Sequence, residues 1–397
     1  MTFKSFPTIP LSQTTKFIVD NRGKTAPTAS GGIPLIATNC IDNGQLYPIY
    51  NNVRYVSQET YQDWFRSHPE PNDIILTLKG SQNGAACLVP KPVGFAIAQD
   101  MVALRVDESK MHYAFLLAAL RSSDVQSEIK NLDVSGVIPH LKKSDFDKLQ
   151  VPNPPLGIQR VIGKIYLDFC LKIDLLHRQN KTLEAMAETL FRQWFVEEAK
   201  DDWEEVPLRE VCQIQNGYAF QSPTYVEQGT RIIRTMNFAN HWIELTDLVY
   251  ISQELARSHE KFYLRRNDFL LVMVGASLGN FALVTNDVLP SLQNQNMWAF
   301  RANTIIDQHY LNFAIRQIVN EILFGASGSA REFFQKGVFY ELGIRLPPSA
   351  LLKKFASFAE STFSRIELNR FQLQSLEKLR DNLLPKLMSG EVRVQYE

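Results

Sequence analysis

Apolar residues recur along this chain with two distinct periods. Between positions 158 and 195 they fall at Ile162, Ile165, Phe169, Ile173, Leu176, Leu183, Ala187, Leu190 and Trp194, and steps of three and four place them on one stripe of a single long helix. Near the end of the chain Phe355, Phe358, Thr362, Ile366, Asn369, Leu373, Leu376 and Leu383 trace a second stripe. Both take two consecutive steps of four, from 165 to 173 and from 358 to 366, a departure from the heptad that locally unwinds a supercoil. Pro154-Pro155 and Pro347-Pro348 stand before the two stripes, where a fixed φ and a missing N–H suit the first turn of a helix. Two stripes of equal length predict helices that bury each other as an antiparallel coiled coil with pseudo-twofold symmetry. Shorter apolar runs at 74–78 and 269–274, among turn residues such as Asn21-Arg22-Gly23 and Gln215-Asn216-Gly217, read as strands. Helical spacing over 113–120 and 310–323 completes an α+β reading.

The pattern occurs twice. Asn72-Asp73-Ile74-Ile75-Leu76 reappears as Asn267-Asp268-Phe269-Leu270-Leu271, an offset of 268 − 73 = 195 positions. Gly80 and Gly84 match Gly275 and Gly279, Val56-Ser57-Gln58-Glu59 matches Ile251-Ser252-Gln253-Glu254, and Ile9-Pro10-Leu11 matches Val206-Pro207-Leu208. Gln99, Met101, Ala103 and Arg105 match Gln295, Met297, Ala299 and Arg301. So many matches in one order describe a tandem duplication. The expected organisation is a first head at 1–151, a long helix at 152–199, a second head at 200–346 and another long helix at 347–397.

Composition narrows the function. Lys+Arg and Asp+Glu are both 42, for a net charge of +0; this excludes a globally basic nucleic-acid binder but permits a local basic face. No apolar run reaches the length needed to span a bilayer, and no apolar signal segment is visible at the N-terminus. Cys40, Cys87, Cys170 and Cys212 are scattered, which suits free thiols in a reducing cytoplasm.

Catalytic motifs are missing. There is no phosphate loop for ATP and no His/Cys cluster with metal spacing, and Phe324-Gly-Ala-Ser-Gly328 follows a helix where a methyl-donor loop would follow a strand. Asn153-Pro154-Pro155-Leu156 resembles a methyltransferase loop, but Leu replaces the stacking aromatic and the second copy has Leu346 in place of Asn; it reads as a helix-start turn. Asp124, Glu128 and Lys130 resemble a nuclease pair, yet they lie at the end of a predicted helix and read as a solvated face.

What recurs is polar and Gly-rich. Lys79-Gly80-Ser81-Gln82-Asn83-Gly84 and Gly275-Ala276-Ser277-Leu278-Gly279 each follow a strand; glycines allow close approach, while Ser, Gln, Asn and Lys read base edges or hold phosphates. A second pair of loops, carrying His140, Lys142 and Lys143 in one copy and Arg331 and Lys336 in the other, follows Ser-Gly turns, and Arg22 and Lys24 flank Gly23. Basic loops at equivalent places in two heads suit a bipartite reader of a polyanion. The same duplication would also suit a non-catalytic protein-interaction scaffold.

The duplication, the polar loops, the segment Val151-Pro-Asn-Pro-Pro-Leu-Gly-Ile-Gln159 and the segment Leu383-Leu-Pro-Lys-Leu-Met-Ser-Gly390 resemble the DNA-specificity subunit of type I restriction–modification systems. That resemblance implies two target-recognition domains, each reading half of a split DNA sequence, with long helices as the spacer. It implies two partner modification subunits that use S-adenosylmethionine to methylate adenine, and restriction subunits that use ATP and Mg. It implies no cofactor, metal or active site on this chain, and a cytoplasmic location.

Overall fold

The protein is described from a computed structural model, for residues 6–21, 23–133, 138–325 and 333–394. The chain forms two compact units: Met1–Arg178 with Gln372–Glu397, and Gln179–Phe371.

In the first unit the strands Thr15–Asp20, Met101–Val106, Ile74–Thr77 and Ala86–Leu88 form one antiparallel sheet in that order. A second, three-stranded sheet holds Ile33–Ile36 between Arg54–Val56 and Ala96–Ile97. The run Ile74, Ile75 and Leu76 has no exposure because it is covered on both faces. Alternate residues enter two clusters, Ile74 and Leu76 with Phe115 and Leu117 of the helix Tyr113–Arg121, Ile75 with Ile36, Cys87 and Phe95. A short ribbon, Thr8–Pro10 against Gln150–Pro152, ties the two ends of the head together.

The second unit repeats this plan. Cys212–Asn216, Met297–Ala302, Phe269–Val272 and Phe281–Leu283 occupy the same sheet order, extended by Trp242–Ile243 and Phe238–Ala239. Thr230–Ile233, Val249–Ile251 and Ser291–Gln293 answer to the smaller sheet, and Glu204–Pro207 pairs with Gly343–Leu346 as the closing ribbon. An Arg–Asp ion pair is duplicated as well. Arg105 Nη2 lies 3.0 Å from Asp73 Oδ2 in one head, and Arg301 donates to Asp268 through Nε at 2.9 Å and Nη2 at 2.6 Å in the other.

The first stripe forms the helix Leu156–Arg192, which runs on through one π-helical turn, Gln193–Glu197; the second forms Ser349–Met388. Their pairing is antiparallel. In the first unit Ile173 and Leu176 join Leu373 and Leu376 in one cluster, and Cys170 lies with Leu384 and Leu387 in another. In the second, Asn369 Nδ2 donates to Asn180 Oδ1 at 2.8 Å, and Phe191 sits 5.8 Å from Phe355 between ring centroids. The most buried line differs from the expected stripe by one position in places. Tyr166, Cys170, Phe191 and Phe195 are buried where Ile165, Phe169, Leu190 and Trp194 are half-buried. The helices pack against their heads as well as each other, so the apolar stripe is wider than a coiled-coil seam and its midline shifts.

Gln159 explains the segment after the prolines. Fully buried, it donates through Nε2 to Asn153 Oδ1 at 3.0 Å and to the Pro154 carbonyl at 2.8 Å, and its Oε1 accepts from the His112 N–H at 2.8 Å. Asn153 and Gln159 thus lock the start of the helix against its head. The supposed nuclease residues belong to a separate helix, Ser123–Leu132, rather than the end of the preceding one, because Ser122 restarts the backbone by capping Val125 N–H. Glu128 there accepts from the Gln150 N–H at 3.1 Å.

Candidate nucleic-acid interface

The polar loop after Ile74–Thr77 in the first head and after Phe269–Val272 in the second is a tight turn built on two glycines. Gly80 and Gly84 have φ of +89° and +86°, and Gly275 and Gly279 have +87° and +83°, the left-handed region that favours glycine. A Cβ at Gly84 would lie 3.1 Å from Ile129 Cγ2, and one at Gly279 would lie 2.5 Å from Leu323 Cδ1, so each turn seats closely on a helix of its head. At Gly80 and Gly275 nothing lies within 4 Å of that position. The outer end of each turn is open to approach by a ligand backbone.

In each head this turn is held against the segment that carries the second candidate loop. Lys79 and His140 face each other in an antiparallel bridge, and so do Val274 and Phe333. Four backbone hydrogen bonds are repeated between the heads. Leu141 N–H donates to Leu78 O at 2.9 Å and Phe334 N–H to Met273 O at 2.9 Å; Leu78 N–H donates to Asp100 O at 2.8 Å and Met273 N–H to Asn296 O at 3.1 Å. Gly84 N–H to Thr77 O is matched by Gly279 N–H to Val272 O, and Asn83 N–H to Gly80 O by Leu278 N–H to Gly275 O. Asp100 and Asn296, the acceptors behind the turns, both have φ of +68°. Two loops separated by about sixty positions become one edge, twice.

Around that edge the candidates take different places. Ser81 is exposed, and Lys79, Gln82, Asn83 and His140 are half-buried. Asn83 commits its Oδ1 to the Leu141 N–H at 3.2 Å, so it also fastens the two loops together. Gln82 carries the carbonyl that accepts from the Thr77 hydroxyl. Lys142 and Lys143 are exposed at the start of the turn Lys143–Asp147. Asp145 secures that turn by accepting from the Lys142 N–H at 3.2 Å; a hydrogen bond from Lys148 holds the Asp145 carboxyl below its ordinary range. Lys143 pairs with Asp20, which brings the strand end preceding Lys24 to the same edge. Lys24 is exposed there.

In the second head Ser277 is exposed, and Lys336, at the start of the helix Lys336–Glu341, lies 5.5 Å from the centroid of the Tyr340 ring. Arg22 and Arg331, with the Ser-Gly turns at 135–136 and 327–328, lie outside the described residues. Val274 and Phe333 escaped the sequence reading because they are apolar. Carrying the repeat offset from Lys79 and His140 onto the second half was the signal that could have found them.

Among the described residues no group of three or more His, Cys, Asp or Glu could hold a metal ion. Nor is any helix there long and apolar enough to cross a membrane. The four cysteines are free and buried, and burial pushes the Cys87 and Cys212 thiols up to about 12.

Both halves of the chain match a known family. Residues 20–185 and 200–378 match the family model described as the type I restriction modification DNA specificity domain. The type I restriction enzyme MjaVIII specificity subunit of Methanocaldococcus jannaschii is 25% identical over 349 residues, spanning 82% of this chain and 80% of that protein. The MjaIX specificity subunit of the same organism is 24% identical over 394 residues, spanning 92% and 88%. The crystal structure of the type I restriction–modification S subunit from M. genitalium matches with a TM-score of 0.64 at 17% identity over 98% of this chain and 97% of that one, a likeness of fold.

Proposed function

Because this chain belongs to the type I restriction modification DNA specificity family, which its two halves match separately, we propose that it reads a bipartite DNA target with one half-site per head. As a specificity subunit it is the non-catalytic member of its system. Residues 1–151 and 200–346 act as the two target-recognition domains, and 152–199 and 347–397 as the helical spacers. The helices dock two modification subunits, which hold S-adenosylmethionine and methylate adenine within the half-sites. Restriction subunits, using ATP and Mg, act on DNA that lacks the mark. The assembly works in the cytoplasm.

The observation that carries this reading is the duplicated edge. Two heads present the same pair of loops, joined by the same backbone hydrogen bonds, but with different side chains on them. A common frame with exchanged side chains is what two readers of different half-sites need. The division of labour within an edge follows from chemistry. Lys79, Lys142, Lys143 and Lys24 neutralise phosphates and set position, while Ser81, Gln82 and His140 meet base edges.

The test is a map of methylated adenines in host DNA with this chain present and absent. The expected result is one split motif that vanishes with the chain. Replacing 1–151 by the head of a related subunit should change one half of that motif and preserve the other; a change in both halves would overturn the two-reader assignment. In binding assays with the assembled methyltransferase, Lys79→Ala should weaken every sequence alike and reduce the salt slope by about one. Gln82→Ala should cost about 1–3 kcal/mol at particular bases.

A further inference from the structure

The two heads differ most sharply where their frames agree best. At the antiparallel bridge the first head places Lys79 opposite His140, and the second places Val274 opposite Phe333. Residues facing each other in such a bridge project to one face, so each head offers a two-residue patch there, cationic and hydrogen-bonding in one case, wholly apolar in the other. Val274 and Phe333 are 37% and 54% exposed. They do not belong to the core of the head.

The apolar patch is nevertheless anchored through its neighbour. Phe334, next in sequence, is buried, packs 5.1 Å from the Phe339 ring between centroids, and donates its N–H to Met273 O at 2.9 Å. Gly275 follows Val274 directly, with open space where a side chain would stand. The exposed Ser277 and the half-buried Lys336 are close by in sequence, so hydrogen-bonding and cationic groups accompany the patch. A large exposed aromatic, anchored by its bridge and accompanied by groups suited to DNA, fits an apolar feature on the DNA. The major groove carries one such feature on a base edge, the 5-methyl group of thymine.

We propose that Val274 and Phe333 determine specificity in the second head by packing on the 5-methyl group of a thymine, at the position in its half-site where the first head presents Lys79 and His140. This rests on the reading of the chain as a DNA-specificity subunit. It assigns the two heads opposite chemistries at one equivalent position. The first head meets a phosphate through Lys79 and a base edge through His140 there, and the second meets a methyl group.

The test uses the complete methyltransferase complex and a duplex bearing its mapped methylation motif. Each thymine of the second half-site is replaced in turn by deoxyuridine, which deletes the methyl group and leaves every hydrogen-bonding atom in place. One replacement should weaken binding by roughly four-fold, the worth of one buried carbon. A complex carrying Val274→Ser with Phe333→Ser should bind the thymine and deoxyuridine duplexes equally, and its methylation map should relax at that base pair alone. A second variant, Val274→Lys with Phe333→His, restores the chemistry of the first head and should also lose the methyl dependence while still binding DNA.

Deoxyuridine sensitivity that persists in both variants would overturn the proposal, because the methyl group would then be read elsewhere. A second half-site without thymine, or one indifferent to every replacement, would overturn it too. Failure of the wild-type complex to prefer its mapped motif over random duplex would instead overturn the underlying specificity reading.

Discussion

Asn180 and Asn369 form a polar pair inside the helix seam, and substituting them one at a time and together separates stability from register. Asn369 has no exposure and Asn180 only 9%. Asn369 Nδ2 donates to Asn180 Oδ1 at 2.8 Å, while Asn369 Oδ1 has no partner among the described residues. Asn180→Leu therefore strands a fully buried amide at both ends. An unsatisfied buried polar group costs about 1–3 kcal/mol. For a body the size of the Gln179–Phe371 unit, each kcal/mol moves Tm by about 2–4 °C, so a fall of about 2–12 °C is expected. Asn369→Leu should cost less, because the amide it strands lies nearer solvent.

The double replacement removes both polar groups and fills the seam with apolar volume. Its stability should match or exceed that of the wild type, giving a coupling energy no smaller than the sum of the two single losses. Thermal unfolding of the four proteins, followed by circular dichroism at 222 nm, measures it. The compensation is paid in uniqueness of register, since a single polar seam position disfavours slipped pairings; hydrogen exchange along both helices should be faster in the double variant. If the double variant loses the sum of the two single effects, the pair is not coupled and the reasoning is refuted.

Other consequences can be checked on the same protein. Asp268→Asn leaves Arg301 buried without its counter-charge, and should destabilise the second unit by about 3–5 kcal/mol, read as a drop in denaturation midpoint. Burial alone would raise Glu360, but hydrogen bonds from His309, Arg266 and Ser364 bring its carboxyl from 4.5 down to about 2. The stability it contributes is then complete above about pH 4.5 and lost as pH falls toward 2. Glu360→Gln should melt below the wild type at neutral pH and converge with it in acid; parallel curves across that window would contradict this. Four residues inserted after Asn180 add about 6 Å of helix, and the methylated-site map should show an unread spacer longer by about one base pair with both half-sites unchanged. One inserted residue should instead rotate the stripe by about 100° and impair helix pairing or partner docking.

Much of this architecture is written in local pattern. The two apolar stripes, the Pro-Pro stops and the repeat at a nearly constant offset determine two α+β heads and two long helices, because periodicity and fixed φ angles act over a few residues and need no distant partner. Repetition also implies that Arg105 and Arg301 do the same work, which they do against Asp73 and Asp268. The midline of the buried stripe was decided by tertiary packing. Tyr166 and Phe191 are buried beyond Ile165 and Leu190 because each helix faces a head and a second helix together.

The candidate edge was decided the same way. Sequence placed Lys79 and Asn83 in one loop and His140 and Lys143 in another, but a bridge between residues 79 and 140 is a long-range pairing that no local pattern encodes. Only the folded sheet lets Leu78 accept from Leu141 and lets Asn83 reach across to the same N–H. Val274 and Phe333 were invisible for a further reason. An apolar residue reads as core until the fold exposes it, and that exposure is a property of the tertiary structure.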